Sequence, residues 1–454
     1  MAASCGYWRY LLPAIVCSLM PAGYPTVRPL QMLDYANQAK IDSRFVFSRS
    51  TTGSYVDASG VQRIAAINEP RSAFHPVTGA YQGLLMESQS TNFLPWSNDI
   101  TASSWYYAPQ NGAVSSGYTG IGGLSTAYRV AEGNVPGTWF IGTSVSISGG
   151  TDYAMSAFLK SDGVNRGYLQ FAGFDGGGIV KGNVVVYFDL RRELVFPENY
   201  GINTRTALLE KRKNGWFRVG GVGPIASGAT LGVLNLVLQR DDGSLFYQGT
   251  GQGLLTDGFQ VEANTTNAYV SSFIATSGTA LTRAMDNLGS ASNQFNEWYV
   301  QSGVTFYQDA LVLSDDFYGL GRFIFQAIQD STLARAELRV FATETGARIR
   351  AVVASGASVD AGVGDSNVGN GLAAWESPAS GIGTSRAVTT RAAARFSPSG
   401  LSLAFNGQFA TVSGLVPSGL NRLTLQAANA GKLILRRATI YPLLTDSETL
   451  LLTQ

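Results

Sequence analysis

The sequence predicts an all-β protein whose mass lies in β-sandwiches. Charged residues are only 14% of the 454, whereas Gly numbers 53, a composition of many turns and short strands. Short runs rich in aromatic and β-branched residues recur along the chain. Several alternate apolar and polar with period two, as half-buried strands do. Gly- and Asn-rich turns separate them. The length suits about three domains.

Composition also excludes function classes. A net charge of +1 lacks the basic footprint that phosphate binding requires, which argues against a nucleic-acid partner. The one dense basic run, Glu210-Lys211-Arg212-Lys213, precedes Asn214-Gly215-Trp216 and reads as a solvated turn. Cys5 and Cys17 are the only cysteines, so the body has no disulfide framework and no CxxC metal site. The single histidine, His75, excludes most His-based metal sites and makes a His-dependent catalytic triad improbable. It reads as a turn residue before Pro76.

Residues 1–40 differ from the rest. The apolar run from Leu11 to Met20 has the look of a signal-peptide core, but Pro13 interrupts it and Arg9 is its one positive flank. It is too short to span a bilayer. We read residues 1–40 as an N-terminal docking arm, with Tyr7, Trp8, Tyr10, Leu11 and Leu12 packed on a partner. Leu30 to Lys40 is expected as a short helix.

Residues 41–97 form a hairpin and linker segment. Arg49 to Val56 is β-prone, Asp57-Ala58-Ser59-Gly60 is a turn ending in glycine, and Val61 to Ile67 returns. Pro70, Pro76 and Gly79 then break the chain, and Gly83-Leu84-Leu85-Met86-Glu87 resumes an apolar strand. Residues 98–286 carry strands at Tyr153–Lys160, Gly167–Phe171, Val184–Asp189, Gly215–Val219 and Leu231–Leu238, with Gly258–Glu262 closing a first sandwich. Residues 287–454 carry a second. It runs from Glu297–Phe306 to Leu433–Tyr441, with an Asn406-Gly407 hairpin turn. Thr445 and Glu448 fit the capping box of a short terminal helix. Ala351 to Thr390, rich in Gly, Ala and Ser, is expected as a long loop or oligomer-facing excursion.

The segment Phe47-Ser48-Arg49-Ser50-Thr51 through Gly60 follows F-x-R-x-S-x-x-x-Y-V-D-x-x-G, with Thr51 at the Ser position. After it come Ala65-Ala66-Ile67-Asn68-Glu69-Pro70-Arg71, His75-Pro76-Val77-Thr78-Gly79, Gly83-Leu84-Leu85-Met86-Glu87 and Thr91-Asn92-Phe93-Leu94-Pro95-Trp96-Ser97. This ordered run resembles a segment found in many virion proteins of tailed bacteriophages. His75 stands where that family has Asp, and Ser90 where an Arg often precedes Thr-Asn. The resemblance continues through 98–286, which is similar to jelly-roll carbohydrate-binding modules at Asp99–Trp105, Ser156–Ser161, Asn214–Arg218 and Gly258–Asp286. The close from Arg437 through Tyr441-Pro442 to Glu448 is similar to that of concanavalin-A-like lectin (laminin-G-like) modules. The resemblance therefore implies two jelly-roll or lectin-like β-sandwiches after an extended arm and hairpin segment.

Chemistry is sparse. A glycosidase needs two carboxylates roughly 5–10 Å apart on one surface. No E-x-D-x-x-E spacing occurs in a strand, and adjacent pairs such as Asp315-Asp316 and Asp241-Asp242 would point to opposite faces. There is no phosphate loop and no dinucleotide fingerprint. No cofactor or metal is expected; calcium is the alternative, at Asp241, Asp242 and Asp257 or at Asp315 and Asp316. Sugar binding needs an exposed aromatic platform with polar neighbours. Trp105, Tyr106, Tyr107, Trp139 and Trp375 are the candidates, because they fall in or near expected loops. Trp216 and Trp298 are expected in the core.

The resemblance implies a non-enzymatic structural protein on the tail or head surface of a virion. The favoured role is a tail-associated fibre, spike or tip adhesin, homotrimeric, that contacts other virion proteins through its arm and binds host surface glycans multivalently. A head fibre or capsid decoration protein is the alternative, and a polysaccharide depolymerase a further one.

Overall fold

The computed structural model describes residues 27–35, 41, 43–107, 112–197, 204–264, 269–290, 295, 303–313, 322–329, 331, 335–343, 346–354, 361–363, 367–368, 372–374, 386–398, 400–405, 407–412, 420–428 and 431–454. The docking-arm residues Tyr7, Trp8, Tyr10, Leu11 and Leu12 lie outside them, as do Trp298, Trp375, Asp315 and Asp316. The described residues are mostly in strands, and Asp446–Leu451 is a short helix.

Two six-stranded antiparallel sheets build the first sandwich. One runs in the order Leu194–Pro197, Val180–Asp189, Arg166–Phe174, Leu231–Gln239, Phe140–Ser146, Trp105–Tyr107. The other runs Thr206–Lys211, Phe217–Ile225, Thr151–Asp162, Gly253–Asn264, Ala127–Ala131, Ala113–Tyr118. Period-two alternation sends Leu169, Phe171, Leu234 and Leu236 of the first sheet inward against Met155, Ala157, Val219 and Val261 of the second.

The second sandwich draws on both ends of the chain. Its nine-stranded sheet places Tyr81–Glu87 and Arg71–Phe74 beside the last strand, Lys432–Pro442. Its eight-stranded sheet begins with Phe45–Ser48 paired to Asn287–Ser290. Residues Phe45, Phe47, Leu84 and Met86 therefore share one core with Phe306, Phe325, Leu425 and Ile440. The stretch expected as hairpin and linker thus supplies strands to both sheets. The Gly53–Val56 and Gln62–Ala65 hairpin forms as expected, with Gly60 in the left-handed conformation its turn requires (φ 81°).

Two local expectations are corrected. Leu30 to Lys40 was expected as a short helix; its Gln31–Asp34 part is instead a strand paired with Arg437–Ile440, burying Leu33 in the second core, while Tyr35 is helical and residues 36–40 lie outside the described residues. Tertiary pairing overrides a weak local preference there. Ala351 to Thr390 is not one long loop: Gly346–Ala354 and Arg386–Ser397 are long strands, and short strands at 361–363, 367–368 and 372–374 pair with them.

A buried ion cluster joins the sandwiches. Asp286 accepts from Arg49 Nη1 at 3.0 Å, from Arg71 Nη2 and from the Glu87 backbone N–H at 2.8 Å. Glu87 in turn accepts from Arg71 Nη1 at 2.7 Å and from the backbone N–H of Ser272 at 2.9 Å. All four charged side chains are fully buried. Arg283 lies 3.7 Å from Glu87 and donates to the Ser88 carbonyl at 2.7 Å. Burial opposes ionisation of Glu87, but Arg283 and Arg71 overcome it and hold the carboxyl well below the usual carboxylate range. Ser272 belongs to the segment that covers the outer face of the second six-stranded sheet, where Phe273 packs on Phe158 at 5.8 Å. That face is therefore occupied, and the solvent-facing side of the first sandwich is its other sheet.

Candidate binding face

The open side of the Trp105–Tyr107 to Leu194–Pro197 sheet presents two adjoining rows of side chains. Leu169, Val186, Phe188 and Leu236 point into the core, so their strand neighbours Tyr168, Gln170, Tyr187, Asn235 and Val237 point out. Pairing aligns Phe196, Tyr187, Tyr168, Val237 and Phe140 on five successive strands. Phe196 and Tyr187 stack at 5.7 Å with ring planes 4° apart, and Tyr187 meets Tyr168 at 5.1 Å. The result is a row of three neighbouring rings, Phe196, Tyr187 and Tyr168, separated from Phe140 by the buried Val237.

Beside it runs a chain of neutral hydrogen bonds. The Tyr106 hydroxyl donates to Asn235 Oδ1 at 3.0 Å, Asn235 Nδ2 donates to Gln170 Oε1 at 3.3 Å, and Gln170 Nε2 donates to Asn183 Oδ1 at 3.0 Å. Partial burial pushes the Tyr106 phenol up, which keeps it a neutral donor. Gly142 makes this geometry possible. It lies opposite both Tyr106 and Asn235, and a Cβ there would stand 2.3 Å from Asn235 Oδ1 and 2.6 Å from the Tyr106 ring. Chemically, the face offers flat apolar rings next to amides that both donate and accept.

The candidates from sequence divide. Tyr106 and Tyr107 are 42% and 56% exposed on the sheet's edge strand. Trp105 and Trp139 are corrected to core residues, at 8% and 1% exposure. Trp105 packs 4.8 Å from Phe259 and donates from its indole to the Trp96 carbonyl at 3.0 Å. Trp139 lines a small recess with Tyr107, Val114, Val130 and Phe140. Trp216 is buried as expected. Tyr168, Gln170, Tyr187, Phe196 and Asn235 were missed. The signal was present: in Tyr168-Leu169-Gln170-Phe171 the alternation that puts Leu169 and Phe171 inside puts the other two outside.

The calcium candidates that are described have other partners. Asp241 pairs with Arg191 at 3.0 Å and Asp242 lies 3.8 Å from Arg240. Asp257 is buried, which pushes its carboxyl up, and it accepts from the Ile121 N–H at 3.1 Å and the Thr126 hydroxyl at 3.0 Å. N–H and O–H donors around a carboxylate suit it as a loop anchor. Among the described residues no group of three His, Cys, Asp or Glu could hold a metal ion, and no helix is long and apolar enough to cross a membrane.

No protein-family profile and no curated protein matches the chain. Among solved structures, the CBM22-1 xylan-binding domain of Paenibacillus barcinonensis Xyn10C overlaps at 13% identity and a TM-score of 0.23, over 38% of this chain and 92% of that one. The CBM22-1–CBM22-2 tandem of the same protein overlaps at 10% identity and a TM-score of 0.24, over 80% and 95%. Domains LG4-5 of the mouse laminin alpha1 chain overlap at 10% identity and a TM-score of 0.19, over 66% and 90%. Overlaps this loose carry no argument about function, and the all-β sandwich fold stands on the sheets described above.

Proposed function

We propose that this chain is a non-enzymatic virion protein of a tailed bacteriophage, a tail-associated fibre, spike or tip adhesin that binds host surface glycans. The sugar-binding part of this reading is carried by one observation: an aromatic row on an open sheet, flanked by a continuous chain of neutral amides. Pyranose rings offer apolar faces to such a row and hydroxyls to such amides. The virion part is supported by the ordered motifs between Phe47 and Ser97. Many copies on one particle would turn weak single contacts into firm attachment. The head-fibre alternative differs only in where the N-terminal arm docks.

Two experiments test the proposal. Purified protein is screened on an array of bacterial surface glycans, and Tyr187→Ala is screened beside it; the reading requires binding that the variant weakens. A particle carrying the chain without residues 1–26 tests the docking arm. Failure of the truncated chain to incorporate supports the arm, and normal incorporation overturns it.

A further inference from the structure

The binding face also constrains which glycans it takes; this step rests on the glycan-binding reading above. The row from Phe196 to Phe140 spans five strands, with the buried Val237 between Tyr168 and Phe140; at about 4.8 Å per strand this is roughly 20 Å, the length of about four pyranose rings. Along both rows, and in the neighbouring row through Asn183, Val233 and Ser144, no described side chain carries a charge. The row on the other side, Gln239, Arg166 and Asp189, is charged, and its cation faces an acid of its own. Arg166 lies 3.8 Å from Asp189 and donates to the Asp241 carbonyl, and Lys181 lies 3.1 Å from Asp175. A uronate or sialate carboxylate laid on this face would lose water and gain no counter-charge. A neutral chain loses nothing comparable, and each amide of the row offers its hydroxyls a partner.

We propose that the face takes a neutral glycan of about four pyranose units laid across the strands, and discriminates against acidic chains. Gly142 is the positioning residue of this site, because only the absence of a side chain there lets Tyr106 reach Asn235.

The test is calorimetric titration of the full chain with neutral oligosaccharides from disaccharide to hexasaccharide, and with matched chains bearing uronic or sialic acid. We expect affinity to rise with length up to about four rings and to be roughly tenfold or more weaker for the acidic chains. Binding of the neutral chain should not change as NaCl is raised to about 0.5 M, since no ion pair is involved. Gly142→Ala and Gln170→Ala should each weaken binding, with Gln170→Ala keeping the parental melting temperature. An acidic chain that binds as tightly as its neutral counterpart, and is lost in Gln170→Ala, overturns this inference while leaving glycan binding intact. Affinity that is already maximal for a disaccharide overturns the cross-strand placement. Failure to bind any glycan overturns this inference and the sugar-binding function together.

Discussion

Arg49 and Asp286 lie 237 residues apart in sequence and meet at 3.0 Å with both side chains fully buried. The first sandwich is strung between them. Asp286 also holds Arg71 and the backbone of Glu87, so one carboxylate ties together strands that precede the first sandwich and the chain that leaves it. Removing one member strands buried charge on the others. We expect Asp286→Ala to cost roughly 3–5 kcal/mol, read as a fall in denaturation midpoint. A midpoint within error of the parent would show that the cluster does not hold the two sandwiches together.

Acid should loosen the same junction. Glu87 is held well below the usual carboxylate range in the fold by Arg283 and Arg71, against the opposing effect of burial, with Lys432 also contributing. The unfolded chain takes up a proton at the ordinary glutamate value, so it binds protons first as pH falls. The stabilisation from Glu87 is therefore complete above about pH 5 and is lost progressively below it. Glu87→Gln, though less stable at neutral pH, should lose stability less steeply between about pH 5 and pH 3. Parallel curves for parent and variant would rule this out.

Trp139 and Tyr187 separate packing from binding. Trp139→Ala should cost about 3–5 kcal/mol through cavity formation in the first core. Tyr187→Ala, on the open face, should leave the melting temperature within a few degrees and weaken glycan binding roughly tenfold. The reverse pattern would restore the loop platform that the sequence suggested.

The terminal helix gives a smaller effect. Thr445 accepts from the Glu448 backbone N–H at 3.2 Å, and Glu448 Oε2 accepts from the Thr445 backbone N–H at 2.8 Å. Thr445→Ala should cost about 1 kcal/mol, measurable by chemical denaturation. No change would mean that the packing of Leu444 and Leu452 alone seats this helix.

These four cases also show what was legible in the sequence. The capping box and the Asp57–Gly60 turn are local, and both were readable because their donors and acceptors lie within a few residues. His75 is instructive: where the resembling family has Asp, its Nδ1 accepts from the backbone N–H groups of Val77 and Thr78, each at 3.2 Å, so the ring does a carboxylate's work in the turn. Pairing of Phe45–Ser48 with Asn287–Ser290 was not legible. A strand's alternation tells which side is buried and nothing about the partner across the sheet. Trp105 and Trp139 failed for a related reason: proximity to a loop does not decide exposure, and both rings join the first core.

Strands Ser90–Asn92 and Leu281–Arg283 pair with each other, Asn92 opposite Leu281. The first sandwich therefore departs from and returns to the rest of the molecule at neighbouring points. A unit attached in this way can be exchanged whole, because splicing at two adjacent ends leaves the register of the second sandwich untouched. The requirements on a replacement are specific: it must meet Glu87 as Ser272 does, Ser54 as the Phe273 carbonyl does, and Gln62 as Arg212 does. Recombination at these two points would exchange the open sheet face while leaving the second sandwich as it is.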